Sequence, residues 1–391
     1  MRRALFALIR WRGLLVALLA LGAACGSGAP SSAGGARPQA SSSGAAAPAT
    51  PAAPSAAPAP QPTVAGPSAV PPLSPPVSVK LGLPHLLADV GFFVAQDRGY
   101  FAEEGLAVDF VPTPSLNEVI PAVSTGEMDV ASGGIGAALF NAVARGLPMK
   151  MVADRGTLGP GSGYMSLVVR KDLLASGRVR DYPDLRGLTI AASSAGAITE
   201  LVTMKAAERG GLGPSDVKVI YLGIGDTPAA LANGSIDGAM ALEPNVTLIL
   251  NQGSGDVFRT TYDIAPNLTV GVVLYADNFA RSKPEAAKRF MVAYLRGLRD
   301  FNDAFFRQPP RGRAEVLAAL TNHTSVKDPA VYESMTMPGL NPDGGINLAS
   351  IADAEDWWVQ RGEIREPVDV AQLWDGSYVD YALGRLGRYQ P

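Results

Sequence analysis

The decapeptide Ala122-Val-Ser-Thr-Gly-Glu-Met-Asp-Val-Ala131 returns as Ala230-Leu-Ala-Asn-Gly-Ser-Ile-Asp-Gly-Ala239, so the pattern A-[VL]-x-x-G-x-[MI]-D-x-A occurs twice, 108 residues apart. That interval is the length of an α/β lobe and is well beyond the ~20–50-residue periods of solenoids and propellers. The chain therefore reads as two related α/β lobes with a cleft between them. In each copy the glycine, Gly126 or Gly234, falls where a helix C-cap needs a positive φ, and the apolar residue and Asp that follow lead into a strand. Chance recurrence of two ordinary helix-to-strand turns is the alternative.

The first 25 residues carry an address. Arg2, Arg3, Arg10 and Arg12 precede an apolar run at 14–21, then Gly22-Ala23-Ala24-Cys25, the layout of a secretory signal whose apolar run is too short to span a bilayer. Cys25 is the single cysteine, which excludes a disulfide within the chain and any CxxC site. Its setting resembles a bacterial lipobox, with Gly22 where the usual Leu stands and Leu21 one place earlier. We expect residues 1–25 to be a lipoprotein signal peptide and Cys25 to carry the lipid. A plain signal cleaved near Ala24 is the alternative.

Residues 26–76 are almost wholly Ala, Pro, Ser and Gly, with Arg37 as their one charge. Such a composition buries too little apolar surface to offset its ordering entropy, so a disordered tether is expected. Its P-A-A-P repeats lack flanking basic residues and suit a spacer better than a proline-recognition ligand. Loss of the four signal arginines takes the net charge from −3 to −7, which makes nucleic acid an unlikely partner. Residues 77–391 exceed the size at which single cores usually divide.

Within that body, Val77 to Leu83 alternates as a strand, an apolar helix is expected from Asp89 to Gly105, and a strand at 107–111 completes a βαβ start. Ser115 and Glu118 have capping-box spacing over a helix closed by Gly126. A strand at 129–132, a helix opened by Gly133-Gly134-Ile135-Gly136 and a strand at 149–153 follow. The second lobe repeats this order with strands at 188–192, 217–222 and 238–242 and helices at 196–209 and 228–233. Strands 165–169 and 269–275, rich in β-branched residues, are expected to be the two crossing strands of a hinge. Ser282-Lys-Pro-Glu285 is expected to cap a helix whose Phe290, Tyr294, Leu298, Phe301 and Phe305 share one face. The expected divisions are 77–168 for the first part of lobe 1, 169–270 for lobe 2, and 271–391 for the completion of lobe 1 with C-terminal helices.

Val79-Lys-Leu-Gly82, Gly99-Tyr-Phe-Ala-Glu-Glu-Gly-Leu-Ala-Val-Asp109, the first decapeptide, Gly146-Leu-Pro-Met-Lys150, Asp184-Leu-Arg-Gly-Leu-Thr-Ile190, Glu243-Pro244 and Asp356-Trp-Trp-Val-Gln-Arg-Gly-Glu-Ile364 occur in that order. In this they resemble the nitrate/sulfonate/taurine and thiamine-precursor group of ABC-importer solute-binding proteins over nearly all of 77–391. The resemblance implies a two-lobe, type II periplasmic-binding-protein-like α/β fold with a hinge and an inter-lobe cleft. It further implies an extracytoplasmic monomer, held to the membrane by lipid, that closes on a small solute and presents it to a membrane permease whose separate ATPase subunit spends ATP. No cofactor, metal or enzymatic activity is expected. The solute classes implied are sulfonates, carboxylates and pyrimidines.

In open α/β sheets ligands sit beyond the carboxyl ends of strands, where helix N-termini direct free N–H groups into the crevice. Four loops are the candidates. After the first strand come His85 and Asp89, with a solvated loop histidine as the alternative. Gly133, Gly134 and Ile135 lack bulk and would let main-chain amides approach a ligand. Asp154 and Arg155 follow strand 149–153, where the guanidinium either grips an anion or makes a structural ion pair. Ser193, Ser194, Gly196, Ala197 and Thr199 join a buried strand to a helix and gather hydroxyls and unpaired amides, the strongest candidate; plain N-capping explains one serine only. Glu243, ending strand 238–242, would accept from an amine or hydroxyl, or serve the hinge. Tyr164 is a candidate for the cleft mouth, whereas Trp357, Trp358 and Trp374 suit core packing.

Two other classes remain as alternatives. Ala192-Ser193-Ser194-Ala195-Gly196 mimics a nucleophile elbow, which would make Ser194 a serine hydrolase's nucleophile, but His85 and His323 are the only histidines and neither has a triad context. Fungal thiamine-precursor relatives use a cysteine-rich motif that this chain lacks. A non-transport extracellular sensor would use the same cleft.

Overall fold

The computed structural model describes residues 70–159 and 162–391. The signal segment, Cys25 and the expected tether up to residue 69 lie outside them. Gly126 and Gly234 both adopt positive φ, 76° and 75°, just past the helices Leu116–Thr125 and Thr227–Ala232. Each time the chain then enters the third strand of a five-stranded sheet. The first sheet comprises β1 (Val77–Leu83), β2 (Leu106–Pro112), β3 (Val130–Gly134), β4 (Met149–Thr157) and β10 (Thr269–Ala276), in the order β2-β1-β3-β10-β4. The second comprises β5 (Met165–Arg170), β6 (Thr189–Ala192), β7 (Lys218–Tyr221), β8 (Gly238–Leu242) and β9 (Gly255–Thr260), in the order β7-β6-β8-β5-β9. The two orders correspond strand for strand. In each, four strands run in one direction and one, β10 or β5, is antiparallel to both neighbours.

The aspartate of the repeated decapeptide explains the recurrence physically. Asp129 accepts the Lys80 amide on Oδ2 at 2.9 Å, and its own amide donates to the Lys80 carbonyl at 3.1 Å. Asp237 accepts the Thr189 amide at 2.9 Å and donates back to the Thr189 carbonyl at 2.8 Å. Each aspartate thus staples the third strand to the first, and each is neutralised by a cation, Lys283 at 3.0 Å or Arg170 at 3.5 Å. Charge-assisted bonds of this kind are stronger than neutral ones, so the residue recurs where the sheet needs registering.

Several expectations are corrected in detail. Strands 165–169 and 269–275 do not themselves cross; each lies inside one sheet, between two neighbours, which is where β-branched runs buried on both faces belong. The chain passes from the first sheet to the second after β4 and returns to it ahead of β10 instead. β5 starts at 165, ahead of the boundary expected at 169. The helix expected over 89–105 breaks at Gly99, whose φ of 76° ends Val90–Asp97 before a short helix, Tyr100–Glu103. Gly133 and Gly134 belong to β3, and the next helix, Ala137–Ala144, starts after Gly136. Ser115 bonds the Glu118 side chain at 3.3 Å rather than a main-chain amide, and Ser282 bonds the Asn278 carbonyl, so neither closes a capping box.

Phe290, Tyr294, Leu298 and Phe301 are fully buried along helix Pro284–Phe305, as the periodicity predicts. That helix meets Val90–Asp97 glycine to glycine: a Cβ on Gly297 would lie 2.0 Å from the Gly91 carbonyl oxygen. Trp357 and Trp358 are buried, and Trp357 Nε1 donates to Glu208 at 2.9 Å, linking helix Leu348–Gln360 to the second sheet's flanking helix Ile198–Arg209. The body begins before Val77, because Leu73 donates to the Glu104 carbonyl and the Pro71 carbonyl accepts from Arg289.

Candidate ligand-binding cleft

The carboxyl ends of β1, β3, β6 and β8 face one another and enclose a cavity of about 80 Å³, room for several water molecules or a small solute. Its apolar walls include Leu86, Leu116, Ile135, Met165, Ile198, Ile224, Leu242 and Val270. Its polar lining comes from Ser115, Asn117, Arg155, Tyr164, Ser193, Ser194 and Thr199. This is the position that strand topology predicts.

Arg155 reaches the cavity through a bulge. The β4–β10 pairing steps from Asp154 opposite Val272 to Gly156 opposite Gly271, leaving Arg155 without a partner residue, and bulges re-aim side chains in this way. Gly271 makes the room, since a Cβ there would sit 3.1 Å from Arg155 Cδ. Arg155 Nε donates to Asp89 Oδ1 at 2.8 Å, both residues being almost wholly buried. Burial works against the guanidinium charge, yet Asp89 holds the pKa above its ordinary value. Asp89 also accepts from Ser132 Oγ at 2.8 Å and the Leu86 amide at 2.9 Å, so its carboxylate is fully engaged. Among the described residues, Arg155 Nη2 is buried with no hydrogen-bond partner, and the buried Tyr164 hydroxyl has no acceptor for its proton, the Ala88 amide being its one main-chain neighbour. Burial pushes Tyr164 up to about 12 against the pull of Arg155, so it stands as a donor at neutral pH.

At the facing lobe, Ser193 Oγ lies 2.8 Å from Thr199 Oγ1, which also accepts the Ser193 amide at 3.0 Å. Neither serine caps the helix that begins at Ile198; its N-cap is Ala197, which offers no side-chain acceptor. The first-turn amides of Ile198 and Thr199 therefore begin a helix at the cavity wall without a capping side chain.

Of the expected contacts, Gly134, Ile135, Arg155, Ser193, Ser194, Ala197 and Thr199 line the cavity. The others do not. His85 turns away: its ring stacks on Phe93 at 5.7 Å and Nδ1 lies 2.9 Å from the His323 carbonyl oxygen. Asp89 stands behind Arg155. Gly133 is buried against Leu116, where a Cβ would meet Leu116 Cβ at 2.6 Å, and the Ile135 amide is taken by the Val270 carbonyl at 3.1 Å. Gly196 lines a neighbouring crevice; its amide donates to Glu200 at 2.8 Å and its carbonyl accepts from Ala137 at 2.9 Å. That last bond, with the bridge between Gly136 and Ala197, joins the two lobes across the cleft. Glu243 is held by the Thr247 amide and hydroxyl, each at 3.0 Å, and by the Thr336 amide at 3.2 Å. Tyr164, expected at the cleft mouth, instead stands in the cavity wall and is 2 % exposed.

Asp154 lies inside β4, bonded by the Asn341 and Gly156 amides and the Thr157 hydroxyl, and burial pushes its pKa up to about 6. The folded state therefore keeps a proton that an unfolded chain releases near pH ~4. The associated stability is present below about pH 4 and is lost as pH rises through about 6. Urea titrations should show Asp154→Asn gaining on the wild type by about 3 kcal/mol between those limits; a pH-independent difference would contradict it.

The family model described as NMT1/THI5 like matches residues 89–303. The chain belongs to this family. It is 29% identical over 217 residues to the 4-amino-5-hydroxymethyl-2-methylpyrimidine phosphate synthase of Schizosaccharomyces pombe, a match covering 51% of this chain and 58% of that protein. The chain thus spans little more than half the length of that relative. Among solved structures, it resembles the alkanesulfonate-binding protein SsuA of Xanthomonas axonopodis, bound to MOPS, with TM-score 0.62 and 18% identity over 78% of this chain and 100% of that one. It resembles the periplasmic aliphatic sulphonate binding protein SsuA of Escherichia coli with TM-score 0.62 and 19% identity over 76% and 97%. The periplasmic nitrate-binding protein NrtA of Synechocystis gives TM-score 0.62 and 15% identity over 80% and 89%. The expected two-lobe binding-protein fold is the fold observed.

Proposed function

We propose that this chain is the extracytoplasmic solute-binding lipoprotein of an ABC importer. Its lobes close over a small organic solute of sulfonate, carboxylate or pyrimidine type and present it to a membrane permease with a separate ATPase. Cys25 carries the lipid that holds a monomer to the membrane through the Ala/Pro/Ser/Gly tether expected over 26–76, whose last residues already join the body, and the passages from β4 to β5 and from β9 to β10 are the hinge. Arg155, Tyr164, Ser193, Ser194, Ala197, Thr199, Gly134 and Ile135 contact the solute. The observation that carries the reading is the pair of buried donors, Arg155 Nη2 and Tyr164 Oη, whose protons meet no acceptor among the described residues of an inter-lobe cavity, because buried polar groups in native proteins have partners. The importer proteins of the same fold support it.

The enzymatic readings have less support. Ser194 lines the cavity, but neither His85 nor His323 does; His323 pairs with Asp97 at 2.7 Å and stacks on Phe93. The synthase relative is matched over part of its length, and the one cysteine here is Cys25. A thermal-shift screen over sulfonates, nitrate, taurine, pyrimidines and aromatic acids tests the function. A true solute at a hundred times its dissociation constant adds about 2.7 kcal/mol of stability, and silence across all classes would end the proposal.

A further inference from the structure

Charge is distributed unevenly around the cavity. Arg155 is the one ionisable side chain other than Tyr164 among the described lining residues, and its charge is already matched by Asp89 at 2.8 Å. Behind the same wall stand two more buried carboxylates, Asp154 and Glu243, with no cation paired to either among the described residues. Arg155 is therefore the one guanidinium beside both Asp89 and Asp154, and Glu243 adds a further carboxyl group near Tyr164. Burial raises the pKa of both Asp154 and Glu243, the sign expected for carboxyl groups taken out of water. The amides at the start of helix Ile198–Arg209 add a partial positive charge of about half a unit, which does not reverse the balance.

We infer that the cavity selects an uncharged, mainly apolar solute whose single acceptor, an amide or ketone oxygen or a ring nitrogen, takes the free N–H of Arg155 Nη2 and the Tyr164 hydroxyl, and that it discriminates against anions. This inference rests on the solute-binding reading above and narrows it. An anion would bring a further negative charge into a mostly apolar-walled space whose one lining cation is already paired, and an unpaired buried charge is strongly unfavourable. A neutral acceptor satisfies the same donors without that penalty, while Leu116, Ile135, Ile198 and Val270 cover an apolar body. The small cavity excludes long chains.

Titration calorimetry and thermal shift on the mature chain, with matched pairs of carboxylic acid and primary amide built on small aliphatic and aromatic bodies (benzoate and benzamide among them), test the inference. The amide of at least one pair should bind about tenfold tighter than its acid. Tyr164→Phe should weaken that amide by about tenfold while changing the melting temperature of the free protein little, since it removes a hydroxyl whose proton meets no acceptor among the described residues. Acids that bind as tightly as their amides would overturn the charge selectivity and leave the solute-binding reading standing. An amide affinity unmoved by Tyr164→Phe would overturn the assigned contact. If no member of any pair binds at millimolar concentration while a solute of the wider screen does, the inference falls alone; if that screen is silent too, both readings fall.

Discussion

Replacing Asp89 with alanine should cost about 3–5 kcal/mol of folding stability, because it strands the Arg155 guanidinium in the interior without a counter-charge. The residue is fully buried and also receives Ser132 Oγ and the Leu86 amide, so three donors lose their acceptor together. Urea unfolding would register the change as a lower midpoint at unchanged slope. The double variant Asp89→Ala, Arg155→Met should recover a large part of the loss, since removing both partners of a buried pair is far milder than removing one. A single-variant cost below about 1 kcal/mol would contradict the buried pair, as that is the range of exposed ones.

Gly136→Val should impair binding while sparing the fold. A Cβ on Gly136 would lie 2.9 Å from the Gly196 carbonyl oxygen and 3.0 Å from Asn117 Oδ1, at the point where Ala137 donates to Gly196 across the cleft. The strain against Gly196 falls on the closed arrangement, because lobes that part relieve it, while the Asn117 side chain within the first lobe can rotate away. Overpacking of this kind costs about 1–3 kcal/mol, which corresponds to a loss of about tenfold to a hundredfold in solute affinity. Small-angle scattering should show the variant staying more extended than the wild type under solute, with a melting temperature for the free protein close to normal. Undiminished affinity would mean that the bridge plays no part in closure.

The repeat was the legible part of this fold, for a reason Asp129 and Asp237 make plain. Each performs the same two-way main-chain bond between equivalent strands, so a shared structural task left a shared pattern. The cleft was legible as a location, since strand ends and Gly-rich turns mark it, and Ser193, Ser194 and Arg155 lie there as expected. Chemistry within it was less so. Asp154, Glu243 and Asp89 look in sequence like polar residues at strand ends, and a polar residue that braces main-chain amides from behind is indistinguishable there from one that touches solute. Arg155 was expected in a loop, because a bulge that extends β4 to Thr157 depends on its partner β10, more than a hundred residues away. His85 was misplaced for a related cause: its neighbours Pro84 and Leu86 line the cavity, but Phe93 on the next helix and His323, distant in sequence, draw its ring to the other side.

The two sheets also differ in when a growing chain can finish them. All five strands of the second lie between 165 and 260 in one uninterrupted stretch, whereas the first must wait for 269–276 to supply β10. Until then β3 and β4 have no strand between them, and β3 presents a bare hydrogen-bonding edge to whatever else is nearby. The half made from the earlier residues is therefore the later to mature, and the sheet that carries Arg155 is the one most in need of protection during biogenesis.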